Sequence, residues 1–262
     1  FQANMSDIDT TNPRTLGRGI CIITGASKGF GWALAHEVYH LLEPGSVLLL
    51  VARSGTLLQE LKEELQSFTD KQRLVVHCIA ANLSTTEGVN ETVRVAGQEA
   101  VNEIDNVLLI NNVGDFTYPL CLSLSLFTDL ERVNSYLSLN ISSPLTLTAG
   151  ILQTFPRRPG LRWSVVNVSS IYALQALPSW ALYCTAKAAR KMMFSVLAEE
   201  EPNVKVLSYS PGPLDTDMQE EIRRLTGISH CLFPCKESAA KLMKLLLDND
   251  FSSGAHLDFF EV

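Results

Sequence analysis

The chain has no basic run longer than two residues and carries a net charge of -7 over 262 residues, so it lacks the positive stripe that a nucleic-acid backbone requires. No apolar stretch approaches the roughly 20 residues that span a bilayer, and residues 1–18 hold no apolar signal core. These absences predict a soluble, cytosolic protein without nucleic-acid or membrane partners, in which the polar, aperiodic segment 1–15 is a flexible leader. The six cysteines, at 21, 78, 121, 184, 231 and 235, include no CxxC pair. That removes the usual redox and zinc spacings and points to buried free thiols in a reducing compartment. The Asn-x-Ser/Thr triplets at Asn82, Asn90, Asn140 and Asn167 then read as coincidence. Internal repeats and low-complexity linkers are also missing, so residues 16–262 are expected to form one domain.

What the chain does have is alternation. Apolar runs at 19–24, 46–52, 73–80, 105–110, 161–169, 204–209 and 255–260 are separated by amphipathic stretches at 32–42, 57–68, 86–101, 136–155 and 236–247, with a further helix around 183–187. Continuous apolar strands separated by helices specify an α/β fold: a Rossmann-type, doubly wound parallel sheet of about seven strands with helices on both faces. Ligands of such sheets bind beyond the carboxyl ends of the strands. The helix over 136–155 is expected to run through Pro144 with little interruption, and 217–235 to be loop.

The first such strand end is Gly25-Ala-Ser27-Lys28-Gly29-Phe30-Gly31. A glycine turn opening a helix offers backbone N–H groups and a helix N-terminus to a phosphate. Two other patterns overlap it. Gly25 to Gly29 also fits G-x-S-x-G, the elbow of serine hydrolases, but that elbow follows several strands and is accompanied by an oxyanion segment absent here. His36-Glu-Val-Tyr-His40 fits the zinc pattern H-E-x-x-H but has no third ligand nearby, and reads as an ordinary amphipathic helix. After the second strand stand Arg53 and Ser54, with no acid until Glu60. An arginine there suits a ribose phosphate, as in NADP(H), whereas NAD sites place a carboxylate; Lys28 adds a second cation. Asn82-Leu83 and Asn111-Asn112-Val113-Gly114 fall at the next two strand ends, the former within reach of an adenine.

Tyr183 and Lys187 stand four residues apart, on one face of a helix. A nearby cation favours phenolate and lowers a phenol's pKa from near 10, so the pair can be an acid catalyst beside its tuner. Taken alone, such a pair is far more often an exposed helix surface with no chemistry. Ser169 and Ser170 end the fifth strand, and the loop Pro211-Gly212-Pro-Leu214-Asp-Thr216 follows the sixth.

The set TGASKGFG (24–31), NNVG (111–114), Asn140, Ser170 thirteen residues before Tyr183, YCTAK (183–187) and PGPLDT (211–216) resembles the short-chain dehydrogenase/reductase family from Leu16 onward. The resemblance implies that Tyr183 protonates a substrate carbonyl, Lys187 lowers the phenol's pKa and holds the nicotinamide ribose, Ser170 hydrogen-bonds the carbonyl, and Asn140 supports a proton relay. It also implies NADPH/NADP+ held by Gly25, Ser27, Lys28, Gly29, Phe30, Gly31, Arg53, Ser54, Asn82, Leu83, Asn112, Gly114, Lys187, Pro211, Leu214 and Thr216, with Ser169, Ser170, Tyr183 and Gly212 facing the substrate. Within the family the likeness is to its pterin-reducing members, through SVLLLVAR, ALYCTAKAAR, EEPNVKVL, SPGPLDTDMQ and SGAHLDFF. That implies a homodimer reducing side-chain ketones of sepiapterin and 6-pyruvoyl-tetrahydropterin in tetrahydrobiopterin biosynthesis, with Asp258 anchoring the pterin. A carboxylate suits a guanidine-like edge because it accepts two N–H donors. Reduction of other small carbonyls, and NADP(H) sensing without turnover, are the competing readings; a mere sensor has no need of Ser170, Tyr183 and Lys187. Val113 replaces the family's usual alanine, adding bulk at a cost of about 1–3 kcal/mol at most. Asn82 replaces its usual aspartate, which is expected to weaken adenine binding without abolishing it.

Overall fold

The structure, a computed structural model, describes residues 14–67, 74–99, 104–114, 123–155, 157–227, 229 and 231–262. Most of the predicted leader, Cys121 and residues 115–122 lie outside them. Of the leader's last two residues, Arg14 pairs with Asp248 and the Thr15 hydroxyl donates to Glu43 at 2.6 Å.

Seven strands, β1 (Gly19–Thr24), β2 (Val47–Ala52), β3 (Val75–Ala80), β4 (Asn106–Asn111), β5 (Arg162–Val168), β6 (Val204–Ser210) and β7 (Ala255–Asp258), form one sheet in the order β3-β2-β1-β4-β5-β6-β7. Every pairing is parallel, as the uninterrupted apolar runs require. β1, β2 and β4 are buried at every residue. Successive side chains of a strand serve opposite faces. Cys21 and Ile23 pack with α1 (Gly29–Leu41), α2 (Gly55–Ser67) and α8 (Cys235–Asp248). Ile20 and Ile22 pack with α3 (Thr86–Gln98), α5 (Ser143–Thr154) and α6 (Ala181–Glu200). Each buried Leu or Ile contributes roughly 1.5–3 kcal/mol, so the two cores dominate stability. Strand order reverses between β1 and β4, which opens a crevice at their carboxyl ends.

Two expectations are corrected. In place of one helix over 136–155 there are α4 (Leu130–Leu137), a π turn (Ser138–Ser142) and then α5. Pro144 has no N–H for the Asn140 carbonyl and its ring would clash there, so the chain widens by a residue instead of continuing the α-helical ladder. The segment 217–235 is not all loop, because α7 occupies Asp217–Thr226. Its signals are ordinary ones: Asp217 and Glu220 in the first turn, Arg223 and Arg224 in the last, and Gly227 at φ 71° as the stop. The described cysteines are all free, but Cys231 is exposed and only Cys21 is fully buried. Among the described residues no helix is long and apolar enough to cross a membrane, and no His/Cys/Asp/Glu group could hold a metal. His36 packs tilted against Trp32, with ring centroids 4.1 Å apart and planes at 48°.

Candidate active site

The crevice floor is the glycine turn between β1 and α1. Gly25 and Gly29 have φ of 67° and 55°, and a Cβ on Gly31 would lie 2.1 Å from the Gly25 carbonyl oxygen. Only glycine permits that approach, which brings the α1 N-terminus against the turn. Lys28, at the N-cap position, makes no side-chain cap. The first-turn N–H groups of α1 are therefore available to an anionic group, and the cradle fits a dinucleotide phosphate.

Asn112 braces this turn. Its Nδ2 donates to the carbonyls of Thr24 (2.9 Å) and Gly25 (3.2 Å), while Thr24 Oγ1 accepts from the N–H groups of Asn112 and Val113, both at 3.0 Å. Its amide thus shapes the cradle, and the Val113 backbone belongs to the same brace. Phe30 is buried and stacks on Tyr209 at 6.4 Å, so its side chain is core and only its backbone borders the crevice. Leu83 is likewise buried.

Arg53 is exposed beyond β2, and Ser54 Oγ accepts from Leu57 N–H at 3.4 Å at the start of α2. Asn82 Oδ1 accepts from both the N–H (3.1 Å) and the hydroxyl (2.8 Å) of Ser84. That local turn, which the usual aspartate could also make, leads into α3. Across the crevice, Pro211 to Thr216 returns to the glycine turn. Gly212 has φ of 78°, Leu214 is buried, and Thr216 Cγ2 lies 3.2 Å from where a Gly29 Cβ would stand. Lys28 Nζ bridges the gap to Asp217 Oδ2 at 2.8 Å, which holds that carboxyl below its usual range. Lys28 is thereby engaged by an acid, which its expected phosphate contact must displace or share.

Beyond β5, Ser170 Oγ accepts from Tyr172 N–H at 3.2 Å, and the Ser170 hydroxyl faces the Tyr183 phenol and favours its ionised form. Ser169, 3% exposed, keeps a buried hydroxyl with no hydrogen-bond partner. The Tyr183 ring meets Trp180 and Tyr172 edge-on, at 5.5 and 6.5 Å. Lys187 Nζ stands 5.7 Å from that ring's centre and donates to the Val168 carbonyl at 3.0 Å. Asn140, buried in the π turn, donates from Nδ2 to the Tyr136 carbonyl at 2.9 Å, and a Cβ on Gly114 would lie 3.8 Å from its Oδ1. The structure thus brings Gly114, Asn140, Ser169, Ser170, Tyr183 and Lys187 to one end of the sheet.

The electrostatics differ from the expectation for Tyr183 and Lys187. Burial pushes the phenol up to about 12; the Ser170 hydroxyl and the charge of Arg190 pull the other way. Lys187 is itself held well below its usual value, first by burial and then by Arg190. Its ammonium is directed at a β5 carbonyl, so Arg190 and Ser170 are what oppose desolvation of the phenol. Arg190 is fully buried and did not figure among the sequence candidates. Its place was visible as the third member of an i, i+4, i+7 stripe in YCTAKAAR, where a charge on the inward face calls for explanation.

Asp258 ends β7 in register with Ser210 of β6. It accepts from Phe260 N–H at 3.1 Å, and its own N–H donates to Glu261 at 2.9 Å. Beside it, Ser210 Oγ and His256 Nε2 are 2.6 Å apart, a contact the sequence did not suggest.

The family model for short chain dehydrogenase matches residues 19–226. Sepiapterin reductase from Xenopus laevis is 47% identical, the alignment covering 94% of this chain and 97% of that protein. Sepiapterin reductase from Rattus norvegicus is 46% identical, covering 94% and 98%. Among solved structures, L-sorbose reductase from Gluconobacter frateurii, determined with NADPH and L-sorbose, aligns with a TM-score of 0.78 at 23% identity over 94% of this chain and 96% of that one. That likeness bears on the fold.

Proposed function

Because the chain belongs to the short-chain dehydrogenase family, we propose that it is an NADPH-dependent reductase of pterin side-chain ketones, including those of sepiapterin and 6-pyruvoyl-tetrahydropterin, in tetrahydrobiopterin biosynthesis. The observation that carries the proposal is the gathering of Ser170, Tyr183 and Lys187 at the end of β5, with Lys187 Nζ 5.7 Å from the centre of the Tyr183 ring. It sets a neutral phenol, raised well above neutrality, to give its proton to a carbonyl oxygen.

The nicotinamide cofactor would lie across the crevice, its phosphates at Gly25, Ser27, Gly29, Gly31 and the backbone of Phe30. Arg53, Ser54 and Lys28 would hold the ribose phosphate, Asn82 and Leu83 the adenine, and Asn112, Gly114, Lys187, Pro211, Leu214 and Thr216 the nicotinamide end. When bound, that group supplies the hydride. The chain's own part is proton supply and positioning. Ser170 donates to the carbonyl oxygen and fixes its direction toward Tyr183. Tyr183 releases its proton there as charge develops, and Asn140, held in the π turn, orients a path for reprotonation. Desolvation strengthens both contacts, since the same hydrogen bonds count for more where water is excluded. Ser169 and Gly212 would border the substrate, and Asp258 would receive the N–H groups of the pterin. We assign the protein to the cytosol and to a homodimer on the same likeness.

A second reading, reduction of simple dicarbonyls, is favoured by the engagement of Asp258 with the Phe260 N–H. Mixing protein, NADPH and sepiapterin and following loss of the yellow chromophore tests the proposal; no loss, or equal rates with NADH, would reject it.

A further inference from the structure

Arg190 lies on α6, three residues beyond Lys187 and seven beyond Tyr183, with no exposed surface. Its fork donates three hydrogen bonds: Nε to Asn167 Oδ1 at 2.8 Å, one terminal nitrogen to the Val113 carbonyl at 3.0 Å, and the other to the Asn111 carbonyl at 2.6 Å. Asn111 of β4 and Asn167 of β5 are register partners. Their side chains are held in turn, Asn111 donating to Thr148 Oγ1 and Asn167 to Ser208 Oγ, each at 3.1 Å.

All three acceptors are neutral oxygens. A buried charge normally needs an opposite charge to offset its desolvation, and Arg190 has none among these contacts. A glutamine amide, with two N–H groups on one nitrogen, could not reach all three acceptors, so the clamp brings a positive charge with it. That charge lies on the helix face that carries Tyr183 and Lys187.

We propose that Arg190 is a positioning residue that ties the crevice ends of β4 and β5 together and supplies the fixed buried charge against which Tyr183 and Lys187 are set. Through Val113 it also holds the strand end whose N–H bonds to Thr24 under the glycine turn, so one side chain links the phosphate cradle to the proton donor. Its charge opposes a second ammonium, which keeps Lys187 low, and favours phenolate, which limits the rise at Tyr183. The other groups around Tyr183, Lys187 and Arg190 are Tyr136 from α4, which faces Arg190, Tyr172 and Ser170 from the turn after β5, the Val168 carbonyl, and Cys184 on α6. None of them carries a positive charge.

The inference rests on the reductase reading for its catalytic meaning, but its test needs neither substrate nor cofactor. Acetic anhydride labelling of Lys187, read by peptide mass spectrometry across pH, reports the midpoint of that ammonium. Arg190→Met should move the midpoint upward by about one pH unit, a tenfold change in the proton equilibrium. Arg190→Lys, which keeps the charge, should leave it in place. Asn167→Asp sets a carboxylate against the guanidinium, keeps that hydrogen bond and should reproduce the upward shift; if Arg190→Met does not fold, this variant decides. An unmoved midpoint in Asn167→Asp, or in folded Arg190→Met, overturns the proposal, since a merely structural clamp would lower the melting temperature alone. If wild-type protein fails to reduce sepiapterin while the midpoints shift as stated, the substrate reading fails and the role of Arg190 stands.

Discussion

Gly31→Ala is the sharpest test of the phosphate cradle. The added Cβ would sit 2.1 Å from the Gly25 carbonyl oxygen, 2.6 Å from Asn112 Nδ2 and 2.8 Å from the Gly25 carbonyl carbon. Against an ordinary contact of 3.4 Å, the first falls short by 3.4 - 2.1 = 1.3 Å, and both Gly25 atoms are backbone. Relief therefore requires α1 to move away from the turn and the Asn112 amide, 2.6 Å from the new Cβ, to swing aside, which breaks its two hydrogen bonds to Thr24 and Gly25. Overpacking of this kind costs about 1–3 kcal/mol, and each lost hydrogen bond about 0.5–1.5 kcal/mol. A total near 4 kcal/mol is a large share of the ~5–15 kcal/mol that stabilises a typical domain. At roughly 2–4 °C per kcal/mol the melting temperature should fall by about 8–16 °C. Thermal unfolding followed by circular dichroism measures this, and fluorescence titration should show NADPH binding lost. Gly114→Ala, whose Cβ would meet nothing nearer than 3.8 Å, should melt close to wild type. A Gly31→Ala protein that melts within 2 °C of wild type and binds NADPH unchanged would refute the argument.

Replacing Tyr183 by Phe removes the proton donor but keeps the ring that meets Trp180 and Tyr172; kcat should drop by about 10²–10⁴-fold with NADPH affinity retained, and near-normal steady-state rates would remove Tyr183 from its assigned role. Asp258→Ala should raise KM for sepiapterin far more than for a simple diketone, and an equal effect on both would favour the dicarbonyl reading. Stability should decline on acidification, because burial holds His36 and His256 below the usual 6.5. The unfolded chain then binds protons that the native one refuses, so the loss begins near pH 6.5 and deepens as pH falls toward the native values. Urea unfolding of the wild type and of His256→Gln from pH 7.5 to 5 should show a smaller slope for the variant, and identical slopes would clear His256 of that role.

Most of the fold was legible because its signals are local. An apolar run such as Val47–Ala52 can be buried on both faces only in a parallel sheet, and the spacing of Gly25, Gly29 and Gly31 leaves few turns open. The capping pattern of α7 was equally local, with Asp217, Glu220, Arg223, Arg224 and Gly227 in their expected places, and was overlooked because the surrounding motif reads as loop. The π turn was half visible. Pro144 announced a disturbance, but whether a helix kinks, breaks or widens depends on what packs beside it, and here the widened turn buries Asn140. Among the site residues, Ser170, Tyr183 and Lys187 converge as their spacing implied. Phe30 and Leu83 turned into the core, and the Asn112 amide turned to the glycine turn, because side-chain direction at a strand or helix end follows from neighbours remote in sequence.

The sequence by itself determined the order of strands and helices, the glycine cradle and the pairing of a phenol with an ammonium on one helix face, since each depends on residues within a turn or two of one another. Only the tertiary structure decided the state of that pair. Desolvation is set by all the atoms around a group: it raised Tyr183, drove Lys187 toward neutrality and enclosed Arg190 between Asn111, Val113 and Asn167. Those partners are 23 to 79 residues from Arg190 along the chain, and no local pattern brings them together.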